Sequence, residues 1–267
     1  MKTVRTIADV RAALEEPRRS GGRIGLVPTM GAFHDGHLAL MRAARERCDT
    51  VVVSLFVNPA QFGPTEDLVQ YPRDETRDAE LARDAGVDLL FAPAVQELYP
   101  ARFQTWVEPG ALGSVLEGAA RPGHFRGVAT VCTKLFDIVQ PQIAFFGRKD
   151  AQQVAVVKQV VRELNMPVEI VPVPTVRDSD GLAMSSRNAY LSPAERAIAL
   201  SLPRALEAGA GAYRSGADAV AAARSILAAQ PGLSVDYVAV ADLDGPTLAA
   251  AVRIGSTRLI DNVRLDD

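Results

Sequence analysis

The chain alternates between short, unbroken apolar runs and longer stretches where apolar residues recur every three or four positions. The runs at 24–27, 51–57, 88–91, 143–146 and 168–171 are brief and mostly rich in β-branched residues, as strands buried on both faces are. Helical spacing is carried between them by Leu38, Met41 and Ala44, then by 74–85, 123–139 and 150–164. In 123–139, Val128, Val131, Cys132, Leu135 and Val139 fall on one face. Strands spaced by helices predict a mostly parallel sheet with right-handed crossovers. The texture changes near Pro172-Val173-Pro174. Beyond it, Ser192-Pro193-Ala194-Glu195 is a helix start, with Pro in the first position and Glu placed to close a capping box. Two alanine-rich helices follow, then runs at 234–240 and 258–263 that suit strands of a smaller sheet. The expected fold is α/β, with a first domain over 1–175 and a second over 176–267.

Composition narrows the function classes. A chain of 267 residues can bury a substantial core, and 48% apolar with 23% charged residues is ordinary for a globular enzyme. A net charge of −3 argues against a nucleic-acid partner, which usually leaves a basic excess. Cys48 and Cys132 are the only cysteines, so no disulfide framework is expected. No apolar run approaches the roughly 18 residues that span a bilayer, and the first residues lack a signal-peptide core. A cytoplasmic protein with no membrane partner is expected.

Candidate chemistry sits where apolar runs give way to helices. His34 and His37 are two of only three histidines, and they follow the first strand in Pro28-Thr29-Met30-Gly31-Ala32-Phe33-His34-Asp35-Gly36-His37. Backbone N–H groups at a helix start favour a phosphate, and imidazoles there can stabilise charge developing on it. A second corner, Gly147-Arg148-Lys149-Asp150-Ala151-Gln152-Gln153, places Lys149 to neutralise a phosphate. Asp150 can accept from ribose hydroxyls or cap the helix, and Gln153 sits one turn on. Met184-Ser185-Ser186-Arg187-Asn188 offers hydroxyls and a guanidinium in a loop able to close over outer phosphates. Asn58 and Gln61, after the second strand, are neutral groups able to read a small hydroxylated substrate. Arg121-Pro122-Gly123-His124-Phe125-Arg126 combines two arginines with the last histidine and can either attract anions or start a helix, the second reading being slightly favoured.

In order and spacing, these segments resemble the pantothenate synthetase (pantoate–β-alanine ligase) family. The resemblance runs through 28–40 (PTMGAFHDGHLAL), 56–63 (FVNPAQFG), 66–73 (EDLVQYPR), 99–100 (YP), 121–125 (RPGHF), 145–153 (FFGRKDAQQ) and 173–188 (VPTVRDSDGLAMSSRN). It covers most of 24–191, whereas the last 75 or so residues carry little that is diagnostic. It implies a Rossmann-type parallel-sheet nucleotide-binding domain with a smaller C-terminal α/β lid domain, as a homodimer. It also implies ATP-dependent condensation of (R)-pantoate with β-alanine, through a pantoyl adenylate, with release of AMP and pyrophosphate. By resemblance, ATP is bound by Met30, Gly31, His34, His37, Gly147, Lys149, Asp150, Val176, Met184, Ser185, Ser186 and Arg187. Pantoate is held by Gln61, Gln153, Asn58 and Met30, and His37, His34 and Lys149 are catalytic, with His37 as proton donor. Mg²⁺ is implied, held mainly by phosphate oxygens, with its protein ligands unknown. One departure stands out: the family usually has Gly-Glu-Lys-Asp where this chain has Gly147-Arg148-Lys149-Asp150.

Other readings are a different adenylyltransferase, which Asn58 and Gln61 in their segment disfavour, and an aminoacyl-tRNA synthetase, disfavoured by the acidic balance. A nucleotide-sensing module without turnover is a third, to which Arg148 gives some weight.

Overall fold

The apolar runs fold as strands. In the computed structural model, which describes residues 1–64 and 66–267, they are β2 (Ile24–Thr29), β3 (Thr50–Leu55), β4 (Leu89–Phe91), β5 (Ile143–Gly147) and β6 (Glu169–Val173), preceded by β1 (Lys2–Val4). All pair in parallel, in the order β1-β4-β3-β2-β5-β6. β1 is too short to show as an apolar run and gains its structure by pairing with β4. β3 ends at Leu55, short of the expected 57, where the chain leaves the sheet toward Asn58-Pro59. From β2 the chain steps outward through β3 to β4, then returns to the other side of β2 for β5 and β6. β2 and β5 therefore flank the topological switch point, where open α/β sheets bind ligands beyond the strands' carboxyl ends.

Contacts divide the chain into two compact units, Met1–Gly147 with Val156–Val173, and Arg148–Ala155 with Pro174–Asp267. In the first, helix Asp35–Arg47 buries Leu38, Leu40, Met41 and Ala44, which join Val27, Val53, Leu90 and Phe145 in one apolar cluster. Helix His124–Val139 buries a wider apolar face. The helix expected over 150–164 is Ala151–Glu163, because Arg148–Asp150 forms a 3₁₀ turn ahead of it.

The second unit packs helices Pro193–Ala199, Ser201–Arg214 and Ala219–Ala228 with an antiparallel sheet of β7 (Leu233–Asp242), β8 (Pro246–Ile254) and β9 (Thr257–Arg264). The central strand, β8, was not expected. Its Leu248-Ala249-Ala250-Ala251 run has weak strand propensity, and pairing on both sides overrides that preference. Small residues also set the helix packing: a Cβ on Gly209 would lie 2.3 Å from Leu248 Cδ2 and 2.9 Å from the Ala219 carbonyl. No helix among the described residues is long and apolar enough to cross a membrane.

Candidate active site

β2 delivers the chain into a turn that only a special backbone can make. Gly31 has φ +88° and Ala32 has φ +53°. A Cβ on Gly31 would also lie 2.7 Å from Leu55 Cδ1 and 2.9 Å from Asp78 Oδ2. Asp78 is 1% exposed and accepts hydrogen bonds from the N–H groups of Ala32 (2.8 Å) and Phe33 (2.7 Å). Burial pushes its carboxyl above the ordinary carboxylate range, against the opposing pull of those two N–H groups and of Arg77. Arg77 in turn donates to the Phe33 carbonyl.

Having made the turn, the chain enters its helix through a reciprocal histidine cap. His34 Nδ1 accepts from the Gly36 N–H at 3.1 Å, and His37 Nδ1 from the His34 N–H at 3.4 Å. With Nδ1 accepting, each neutral ring carries its proton on Nε2, a tautomer assigned from the hydrogen bonds. The ring centroids lie 4.2 Å apart. Two imidazole donors are thus fixed at the end of β2, where charge on a phosphate could be met.

The segment after β3 is fixed just as tightly. Asn58 is 1% exposed. Its Oδ1 accepts from the Ala60 N–H (3.2 Å), and its Nδ2 donates to Gln61 Oε1 (3.0 Å) and the Gly127 carbonyl (3.2 Å). A Cβ on Gly127 would come within 2.2 Å of the Ala60 carbonyl, so glycine alone permits this approach. Because Asn58 sees an N–H on one side and a carbonyl on the other, its amide has one orientation. Gln61 inherits one too: Oε1 faces Asn58, and Nε2 donates to Met30 Sδ at 3.0 Å. Gln61 therefore presents a donor at the β2 end.

The Gln61 backbone is held from the segment that reads mainly as a helix start. His124 does open a helix, but its Nδ1 also lies 2.8 Å from the Gln61 carbonyl and its Nε2 lies 3.1 Å from Arg121. Arg121 donates to the same carbonyl and to both oxygens of Glu66. Burial, with the Arg121 charge second, pushes His124 down to about 4. A neutral ring donating from Nδ1 and accepting at Nε2 satisfies both neighbours.

In the second unit, Lys149 and Asp150 lie in the 3₁₀ turn that leaves β5, and Gln153 lies in the first turn of helix Ala151–Glu163. Gly147 ends β5, and a Cβ there would meet nothing within 4 Å. Asn262 on β9 donates Nδ2 to the carbonyls of Arg148 (3.0 Å) and Lys149 (2.8 Å). Residues 176–184 form a small hairpin in which the Met184 N–H bonds the Val176 carbonyl at 3.0 Å and Arg177 bridges Ala183. Arg177 forms a two-point ion pair with buried Asp261 (2.7 and 3.2 Å). Ser185 then caps the 3₁₀ turn Ser186–Tyr190 by accepting from the Arg187 N–H.

The structure thus joins Met30, Gln61 and Asn58 in one network, pairs His34 with His37, and places Val176 opposite Met184. Asp78, His124, Asp261 and Asn262 are supports that the sequence reading did not assign to the site. His124 was visible in the 121–126 segment but read mainly as a helix start, and Asp261 and Asn262 left a trace as an Asp-Asn pair inside the otherwise apolar run 259–263.

Residues 2–264 match the family described as pantoate-beta-alanine ligase. The chain belongs to this family. A pantothenate synthetase of Moorella thermoacetica is 53% identical over 280 residues, covering 100% of this chain and 99% of that protein. The crystal structure of pantothenate synthetase from Thermus thermophilus superposes with a TM-score of 0.93 at 49% identity, covering 99% of each chain. A Francisella tularensis pantoate-beta-alanine ligase, complexed with beta-gamma ATP and beta-alanine, has a TM-score of 0.85 at 33% identity, covering 100% of this chain and 98% of that one. Membership in this family makes the chain a ligase of pantothenate biosynthesis.

Proposed function

We propose that this chain condenses (R)-pantoate with β-alanine using ATP, releasing AMP and pyrophosphate. The observation that carries this reading is the reciprocal histidine cap beyond β2, at the sheet's switch point, with the Gln61 donor beside Met30 on the same strand end. A carboxylate is a poor acyl donor, because its leaving group would be an oxide. A pantoate carboxylate oxygen attacks the α-phosphorus of ATP, the bond to the bridging oxygen breaks, and pyrophosphate departs. The β-alanine amine then attacks the carbonyl of the adenylate. The bond from that carbon to the phosphate oxygen breaks, AMP leaves with the electron pair, and the amine gives up a proton.

The chain's part is positioning and charge stabilisation. The Nε2 donors of His34 and His37 meet charge building up at the phosphate, with His37 as the proton donor. Gln61 donates to an acceptor oxygen of pantoate, with Met30, Asn58 and Gln153 completing its site. Lys149 neutralises phosphate charge, and Gly147 and Asp150 take the ribose. Val176 lies against adenine. The loop backbone at Met30 and Gly31 lets the triphosphate approach closely. Met184, Ser185, Ser186 and Arg187 take the outer phosphates, and the segment shields the adenylate from water as a lid.

Mg²⁺ fits this donor set through the nucleotide. Among the described residues no three His, Cys, Asp or Glu side chains gather as a protein cage would require, and Mg²⁺ commonly takes phosphate and water oxygens with few carboxylates. When bound, it neutralises phosphate charge. The same reading makes the enzyme a homodimer and places it in the cytoplasm, the latter in keeping with two buried free thiols, Cys48 and Cys132.

The test is exchange of labelled pyrophosphate into ATP with Mg²⁺ and pantoate present and β-alanine absent. Pantoate-dependent exchange is expected, and adding β-alanine then yields AMP and pantothenate in equal amounts. ATP binding without exchange would overturn the assignment.

A further inference from the structure

The last strand breaks its own alternation. Along β9, Thr257, Leu259 and Asp261 are buried and Arg258 and Ile260 less so, but Asn262 is buried as well. Two consecutive polar residues, 2% and 6% exposed, therefore point to both faces of a strand in a predominantly apolar unit. Burying polar groups is unfavourable unless every one is hydrogen-bonded, and each of these is bonded to a segment assigned above to ATP.

Asn262 uses its amide on two successive carbonyls, those of Arg148 and Lys149. In a trans peptide the N–H points opposite to the C=O of the same unit. Drawing these two carbonyls toward β9 therefore turns the N–H groups of the same peptide units to the opposite side and sets the orientation of the 3₁₀ turn that carries Lys149. Asp261 takes the other segment. Its carboxylate binds Arg177 at two points and accepts the Asn262 N–H at 2.8 Å. Arg177 also donates to the Gly181 carbonyl and bridges Ala183, so the hairpin leading into Met184 and Ser185 is tied to the same point. β9 also borders the Ser186–Tyr190 turn.

We infer that Asp261 and Asn262 are positioning residues for ATP: Asn262 orients the peptide units of the Lys149 corner, and Asp261 sets the 176–184 hairpin through Arg177. This rests on the nucleotide reading above and extends it to a strand outside the segments that carry the family resemblance. Neither residue touches pantoate in this scheme.

The experiment measures ATP binding by calorimetry, together with KM for ATP and for pantoate in pyrophosphate exchange, in the full chain and in two variants. Asn262→Asp keeps the side-chain shape but replaces the donor with a carboxylate oxygen facing two carbonyls. Asn262→Ser removes the amide without adding charge. ATP affinity is expected to fall about tenfold or more in Asn262→Asp and less in Asn262→Ser, with KM for pantoate held within about twofold. Unchanged ATP affinity, or an equal loss for both substrates, would overturn the inference, as would failure of both variants to fold, which would make Asn262 a structural pillar only. A native chain that binds ATP but shows no pantoate-dependent exchange breaks the proposed reaction instead, and the calorimetric comparison still decides the role of Asn262.

Discussion

The corner after β2 and the corner after β5 are topological equivalents, each a strand end opening into a helix, yet they are held by different means. His34 and His37 largely hold themselves, since each ring accepts an N–H within three residues of it, and one remote carboxylate, Asp78, secures the turn before them. At the Lys149 corner the carbonyls of Arg148 and Lys149 are held by an amide 113 residues beyond Lys149 in the chain. In the first corner the groups that fix the backbone are also the groups proposed to do the chemistry. In the second the two duties fall on different residues, so they can be separated by mutation.

The sharpest break of this comparison is His37→Ala. It removes the proposed transition-state donor together with half of the cap, and the exchange rate is expected to fall on the order of 10²–10⁴-fold with the fold retained. Near-native turnover would reduce the histidine pair to a helix cap. Asp78→Asn comes next: the amide can accept one of the two N–H groups but turns its own N–H₂ toward the other. It should cost about 1–3 kcal/mol of stability and slow exchange roughly tenfold through the displaced histidines. Lost stability with unchanged kcat would show that the turn holds its shape without the carboxylate.

A smaller effect tests the support behind Gln61. His124 titrates at about 4 in the folded chain against an ordinary 6.5, so between those values the unfolded chain binds more protons. Stability should therefore fall as pH drops from about 6.5 toward about 4. Asn in place of His124 can still donate to the Gln61 carbonyl but does not titrate, so thermal melts of His124→Asn should depend less on pH across that window. Parallel profiles would mean that His124 is not held neutral. The smallest effect is expected for Arg148→Glu, which introduces the residue that the family resemblance leads one to expect there. Asn262 holds the Arg148 carbonyl and not its side chain, so KM for ATP should move by no more than about threefold, chiefly at low salt.

What could be read from the sequence follows the same division. The parallel sheet was legible because a buried strand declares itself within a few residues, and the histidine corner because its strand, glycines and rings are contiguous. Asp78 left no such mark: it lies 46 residues from the Ala32 N–H that it accepts, inside an ordinary amphipathic helix. Asn58 was visible as a polar group beside Gln61, but its orientation depends on the Gly127 carbonyl, 69 residues away. β8 was missed because alanines carry helical propensity, and only its neighbours β7 and β9 make it a strand. The Asp261-Asn262 pair could have been noticed as two polar residues in an apolar run, yet nothing local says which segments they hold.

The distance between Asn262 and Lys149 also sets an order of events during synthesis. The histidine corner has its cap once residue 37 has emerged and its clamp once Asp78 has. The Lys149 corner emerges without the amide that orients it, and at ribosomal speeds those 113 residues take on the order of ten seconds to follow. During that interval the bonding partners named for the histidine corner have all been made while the amide that holds the Lys149 corner has not, so the two become able to form in sequence rather than together.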